Sequence, residues 1–454
     1  MCQSSLSCNG SVALLRKRVI KLAWPAILEM VLHTTVWMFD TAMVGRLSPE
    51  ALSAVGFGGQ LAFSFTYVFS AIGIGTSTMV ARYIGARQQQ KANSVLGQSL
   101  MLSFLISVSL ACLYISYGET FFSIVMKDPL VIRLGSEYIK IVSLGLIFMI
   151  PTQVMNSALR GAGNTRLPML SAMVTNSLNI IGDYALIFGK FGLPRLEVNG
   201  AALATTIAQI IGALITIIYI TKMNSEVKLF RKNFIKLDIA VIRQILKMSV
   251  PAALEELNHN GSRLLSSFWI ANLGTLPFAA HGVAVSAESM SFMPGYGFSV
   301  AASSLVGQNL GAQKKKLAEL SAKESVKYAI LLMGFFGVIF YIMPNWIIQF
   351  FTDIPDVKNL ASKCIMIAAF EQPFLAISMT IAGALRGAGD TKGTFLISFM
   401  STWGVRIPLI FVVINLFNKG LTTVWVVTVI QFVIEAILMG FRFLKGHWKE
   451  ISLD

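Results

Sequence analysis

Charge is scarce in this chain. Asp, Glu, Lys and Arg make up 13% of 454 residues, against 55% hydrophobic residues and a mean hydropathy of +0.69. A soluble domain carries about 25% charged residues, so an ordinary water-soluble fold is excluded. Cysteine is scarce too. Cys2, Cys8, Cys112 and Cys364 form no CxxC and no metal-ligand spacing, which argues against a disulfide framework or a zinc site. Neither HExxH nor GxSxG occurs, so an intramembrane enzyme has no motif to carry it and no catalytic residue is assigned. The opening MCQSSLSCNGSVALLRKR lacks an apolar core before its basic cluster. A cleavable signal peptide is therefore not expected, and the first apolar segment directs insertion.

What is present is apolar length. Twelve segments read as spans: 19–44, 52–81, 93–117, 134–158, 167–188, 201–221, 247–271, 277–304, 325–350, 361–384, 394–417 and 422–444. Each is long enough to cross about 30 Å of hydrocarbon as helix. A β-barrel would show short alternating segments instead. The fold class is therefore an all-α membrane protein with twelve transmembrane helices, its partner the lipid bilayer.

The net charge of +15 invites a nucleic-acid reading, but its distribution does not. The N-terminus and the even-numbered loops hold 26 of the 37 Lys and Arg, the opposite loops 9, and Arg263 and Arg406 fall inside spans. Basic residues collect on the cytoplasmic side of membrane proteins. Both termini are expected there, in a cell (inner) membrane, with no nucleic-acid partner.

One decapeptide occurs nearly twice: SALRGAGNTR at 157–166 and GALRGAGDTK at 383–392, an offset of 226. At the same offset KLAWPAILE (21–29) falls on KMSVPAALE (247–255), SAVG (53–56) on AAHG (279–282), and MVARYIGAR (79–87) on LVGQNLGAQ (305–313). The chain reads as two copies of a six-helix bundle. Six is even, so both copies enter the membrane the same way up, related by a pseudo-two-fold axis along the membrane normal. The expected division is an N-lobe at 1–221, a cytoplasmic linker at 222–246 and a C-lobe at 247–454. FRKNFIKLDIAVIRQILKM, from Phe230, is expected as an amphipathic helix on the membrane surface. In each decapeptide, Gly161 and Gly163, or Gly387 and Gly389, suit a tight helix end. Arg160 and Arg386 are expected at headgroup level, and Asn164 and Asp390 as caps of the next helix.

Ionisable groups inside a span are costly, and each is a functional candidate. His33 and Asp40 lie seven apart in the first span, on one face with Trp37 between them. In NSLNIIGDYALIFG (176–189), Asn176, Asn179 and Asp183 stack on one face of the fifth span. Asp40 follows Lys21, and Asp183 follows Arg166, by about five helical turns in each case. Both carboxylates therefore reach similar depths in the outer half of the membrane. Two carboxylates at one depth point to a shared proton or a bound cation, and Asn179 completes an oxygen set for sodium. The seventh span carries Glu255, His259 and Arg263 at i, i+4 and i+8, with Glu256 beside them. That ladder is either a self-neutralising network or a second ion site, with Glu288 of the eighth span a cross-helix partner for Arg263. Glu29 repeats as Glu255, but Asp40 becomes Ser266 and Asp183 becomes Leu409, so the halves differ in function. Met290, Phe292 and Met293 belong to a pliable apolar lining, and Pro294, Gly295 and Gly297 mark a hinge.

WMFDTAMVGRL (37–47), VARYIGAR (80–87), ALRGAGNTR (158–166), NIIGDYALIFG (179–189), NGAALAT (199–205) and LVGQNLGA (305–312) resemble the multidrug and toxic compound extrusion (MATE) family over essentially the whole chain. The resemblance implies two six-helix lobes around a central cleft. It implies export of hydrophobic, often cationic compounds against a sodium or proton gradient, with no cofactor besides that ion. DinF-like members bind the ion in the N-lobe, at positions matching Asp40, Asn179 and Asp183, with Asn156 and Thr205 matching more loosely. NorM-like members use acidic residues of the seventh and tenth spans. Glu255, Glu256 and Glu371 are displaced toward the starts of their spans, so that site is not carried over. His33 stands where a glutamine is expected.

The chain thus reads as a monomeric antiporter of the DinF-like kind. Ion binding at Asp40, Asp183, Asn179, Asn176, Asn156 and Thr205 drives it, and His33, Trp37, Glu255, Glu256, His259, Glu288 and Met293 form a substrate or secondary lining. The competing reading is a flippase for a lipid-linked saccharide.

Overall fold

In a computed structural model, residues 4–223, 225–230, 233–234, 237–417 and 419–452 are described, and they hold twelve long helices. In chain order these are α1 Ser4–Val44, α2 Pro49–Gly85, α3 Gln89–Val125, α4 Pro129–Gly161, α5 Arg166–Phe188, α6 Glu197–Lys222, α7 Ile239–Ala271, α8 Thr275–Gly311, α9 Lys315–Ile342, α10 Pro355–Ala388, α11 Thr391–Leu416 and α12 Leu421–Lys445. No strand occurs among the described residues. Among the described residues, nine of the twelve contain a stretch long and apolar enough to cross a membrane. The other three, α5, α7 and α8, are the ones diluted by Asn, Asp, Glu, His and Arg.

Local chemistry sets the helix ends. Ser48 Oγ accepts from Ala51 N–H at 3.1 Å and Asp128 Oδ1 from Leu130 N–H at 2.8 Å, each followed by a proline at the first helical position. Such prolines lose no hydrogen bond there. α11 is broken by two wide turns, Thr402–Arg406 and Val412–Leu416, on either side of Pro408. Turns of this kind mark functional positions more often than chance.

The chain forms two compact units. One is Leu28–Ala253, in which α4 is the central helix, packed on α2, α3 and α6. The other joins Met1–Ile27 to Leu254–Asp454, with α10 central against α8, α9 and α12. In this second unit the start of α1 buries Val19, Leu22 and Ala23 among Phe298, Ala301, Leu305, Met333 and Leu375. The same unit has a further core of Ile270, Phe340, Ile365 and Trp425.

The duplication is visible in the backbone. Gly163 and Gly389, which occupy one repeat position, both adopt the left-handed region at φ 92° and 93°, and Arg87 and Gln313 both have φ 59°. A Cβ on Gly161 would strike the backbone oxygen of Ser77, and one on Gly387 that of Ser303, the same repeat position. The glycines Gly161 and Gly387 therefore serve close approach of α2 to α4 and of α8 to α10, while Gly163 and Gly389 supply the left-handed turn.

Several expectations change. Arg160 does not sit among headgroups: it turns inward to Glu29, at 2.8 Å. Asn164 caps α5 through Leu167 N–H at 3.2 Å, but Asp390 caps nothing with its side chain and pairs instead with Arg442 at 2.6 and 2.7 Å. From Ile239 the chain is already in α7, and the segment before it is strapped to α3. Asn93 Oδ1 accepts from Lys228 N–H at 2.7 Å, Gln98 Oε1 from Asp238 N–H at 3.0 Å, and Gln98 Nε2 donates to the carbonyl of Asn233 at 2.8 Å. Arg231, Lys232, Ile235 and Lys236 of the expected surface helix lie outside the described residues, as does Cys2. α8 runs on through Pro294, and Gly295 makes room for Met333 of α9.

Candidate functional site

Within Leu28–Ala253, the residues expected to bind the ion lie on four helices. α1 supplies Asp40, one turn before its end. α5 supplies Asn176, Asn179 and Asp183 on one face, α4 supplies Asn156, and α6 supplies Thr205. Asp183 is 1% exposed, and Asn179, Asn176 and Asn156 are also buried. Buried polar atoms are normally paired. Here Asn179 Nδ2 donates to Thr205 Oγ1 at 3.3 Å, but the protein supplies no donor to either oxygen of Asp183, to Oδ1 of Asp40 or to Oδ1 of Asn156, and no acceptor to Asn176 Nδ2. The carboxyl groups of Asp40 and Asp183 face one another directly. Three oxygens of this facing carboxyl pair thus have no donor from the protein, and such a pair can hold a proton or a cation.

Tyr138 of α4 belongs to this site and has no counterpart among the residues singled out from the sequence. It lies within electrostatic reach of both carboxyls, its ring seated on Gly58, where a Cβ would meet Cδ1 at 2.8 Å. A buried tyrosine among apolar residues carries no spacing signal. Gly58 opposite it is the only trace.

The middle of α1 holds a second constellation. Arg160 donates to Glu29 Oε1 at 2.8 Å and to Ser157 Oγ at 3.0 Å, while Glu29 Oε2, also buried, has no partner. His33, one turn along α1, is exposed and within electrostatic range of both Glu29 and Arg160. Trp37, the next turn on, is also exposed.

In the unit that contains Leu254–Asp454, the expected charge ladder of α7 does not close: no ion pair joins Glu255, His259 and Arg263 among the described residues. Hydroxyls of α11 hold these groups instead. Thr394 donates to Glu255 at 3.1 Å, Ser398 meets His259 Nε2 at 3.2 Å, and Asn258 is held by Ser398 at 3.1 Å and Trp403 at 2.6 Å. Glu256 lies in range of His259 and Arg386. Glu288 faces Glu371 and has Arg263 in electrostatic range, as expected, and Arg406, placed by the wide turn of α11, lies in range of both carboxyls. Glu435 accepts from Ser378, Ser401 and Gln431 at 2.8, 3.0 and 2.6 Å. Its environment is satisfied, in contrast to that of Asp183. Met293 is half-buried on α8 and Met290 exposed.

A profile of the family described as MatE matches residues 25–185 and, again, 251–412. The chain belongs to the MatE family. The two MATE matches start one repeat offset apart, so the family unit is the repeat itself, and Asp40 and Asp183 lie in its first copy alone. Over the whole length, this MATE chain is 32% identical to a Thermotoga maritima protein named a probable multidrug resistance protein, NorM, covering 96% of this chain and 94% of that one. An uncharacterised transporter of Bacillus subtilis, YisQ, is 26% identical over 95% and 94%. Among solved structures, an outward-facing multidrug resistance MATE transporter of the MOP superfamily matches with TM-score 0.89 at 21% identity, covering 97% of this chain and 99% of the other. A MATE structure in a bent conformation matches with TM-score 0.86 at 21% identity, covering 96% of each. This MATE chain is therefore a multi-pass membrane transporter.

Proposed function

We propose that the chain is a secondary antiporter that exports hydrophobic or cationic compounds, taking up protons or sodium ions at Asp40 and Asp183 in exchange. The observation that carries this reading is the facing carboxyl pair, three of whose oxygens are buried without a protein donor, set in an apolar helical bundle. Leaving such a pair unfilled is expensive, so an ion that enters and leaves it exchanges a large electrostatic energy. Asn179, Asn156, Asn176 and Thr205 supply neutral oxygens and amides around it, and Tyr138 one hydroxyl. Coupling then requires that the ion and the substrate each favour a different state of the transporter. The ion is placed as in DinF-like members, on the strength of these residues, although the T. maritima relative carries a NorM name. Both termini are placed in the cytoplasm, on the asymmetry of Lys and Arg, and a single chain suffices.

The test is efflux of ethidium from proteoliposomes with a sodium gradient and a pH gradient imposed separately. Asp40→Asn and Asp183→Asn are each expected to abolish transport while the protein inserts and purifies normally. Normal efflux by both variants would exclude the site. Wild-type protein that moves no cationic dye under either gradient would favour the flippase for a lipid-linked saccharide.

A further inference from the structure

Asp40 and Asp183 lie near the ends of α1 and α5 farthest from the cytoplasmic side, and a coupling ion bound there needs a route onward. α1 is one uninterrupted helix from Ser4 to Val44. At about 100° and 1.5 Å per residue, Glu29, His33 and Asp40 fall within an arc of roughly 40°, with rises of about 6 Å and then about 10 Å between them. Three titratable groups therefore share one stripe, and Trp37 is the neutral residue between the last two.

Two features set this stripe apart from a structural one. Glu29 is 2% exposed, yet only Oε1 is engaged, by Arg160, while Oε2 has no partner. Next along, His33 is exposed rather than packed. A buried carboxylate with a free oxygen beside an accessible imidazole is a donor–acceptor pair for protons, and histidine is the side chain best suited to exchange them near neutral pH.

We propose that Glu29 and His33 relay protons along α1 from the Asp40/Asp183 pair toward the cytoplasmic side, an inference that rests on the coupling role of that pair. In the inward step, an O–H bond on the protonated pair breaks as the proton passes to a water file beside Trp37, and the last water gives it up as an N–H bond forms on the His33 imidazole. The imidazolium then loses the proton from its other nitrogen to Glu29 Oε2, where an O–H bond forms, and that bond breaks as the proton leaves to water on the cytoplasmic side. One proton is delivered inward, the pair is left ionised for the next one, and the relay groups return to their starting states when the imidazole turns over. The charged and titratable groups facing His33 are Glu29 on its own helix and Arg160 from α4. Those facing Asp40 are Asp183 from α5 and Tyr138 from α4. Arg160 fixes Oε1, leaving Oε2 as the working oxygen, and its positive charge bars a metal cation from this end of the stripe. The relay thus selects protons over sodium.

The experiment uses the full-length protein in proteoliposomes, with ethidium flux and lumenal pH read together for wild type, His33→Gln and Asp40→Asn. His33→Gln keeps a polar side chain but cannot titrate. It is expected to slow pH-driven efflux by roughly tenfold or more and to recover in part when imidazole is added to the buffer. Wild-type flux is expected to slow in deuterium oxide, which reads the same step without a substitution. Wild-type rates in His33→Gln, or wild-type transport driven by sodium alone, would each overturn the relay. In both cases loss of transport in Asp40→Asn would leave the carboxyl-pair reading standing. Normal transport by Asp40→Asn would overturn that reading and the relay with it.

Discussion

Arg160 and Glu29 show what a single buried pair can decide. Glu29 is enclosed, and removal of its cation leaves a carboxylate uncompensated inside the protein, a defect that costs about 3–5 kcal/mol. Arg160→Gln is therefore expected to lower the melting temperature in detergent markedly, and Glu29→Gln added to it to restore most of the loss, as read by a double-mutant cycle. The repeat-related pair, Glu255 and Arg386, has Thr394 as an added donor and should tolerate Arg386→Gln better. At this scale the sequence is informative where spacing along one helix ties residues together: Asp40 with His33, and Asp183 with Asn179. It is silent where the tie crosses between helices. Nothing in the order of residues joins Glu288 to Glu371, brings Arg406 to both, or turns Arg160 inward, because those neighbours are fixed by packing.

The elements meet through small residues. On α2, Gly73 faces Ser157 of α4, and in the other half Ser299 of α8 faces Gly383 of α10, the same two positions with glycine and serine exchanged. Each contact needs one missing side chain, and either helix can supply the gap. Gly73→Ser alone is expected to destabilise by about 1–3 kcal/mol through overpacking, and the double change Gly73→Ser with Ser157→Gly to regain much of it. Thermal unfolding of the three variants measures this. Gly387→Ala, which meets the backbone of Ser303, has no such compensation and should cost more. Hydropathy and end chemistry locate the twelve helices well, since length and apolarity are local properties. The strap that precedes α7 and lies across α3 is not legible, because its bonds run from side-chain amides to an aperiodic backbone.

For the whole molecule the repeat offset governs everything, from the decapeptide to the paired φ values and the two family matches. It also governs where the chain passes between its compact units, at Ile27/Leu28 and again at the repeat-related Ala253/Leu254, in each case just past a proline, Pro25 or Pro251. Beyond those two prolines this exchange has no signature in the sequence, since each helix runs on unbroken past the point of crossing. Its consequence concerns breakage. A nick between Met223 and Leu237 yields two fragments, and each still contributes residues to both units: the first supplies the segment up to Ile27 to one and the stretch from Leu28 to the other, and the second does the reverse. Two separately translated fragments split there are expected to co-purify and to transport ethidium together, whereas either one expressed alone should be degraded. Interlacing of this kind makes the covalent linker dispensable for holding the transporter together, in the manner of partners that have swapped an arm.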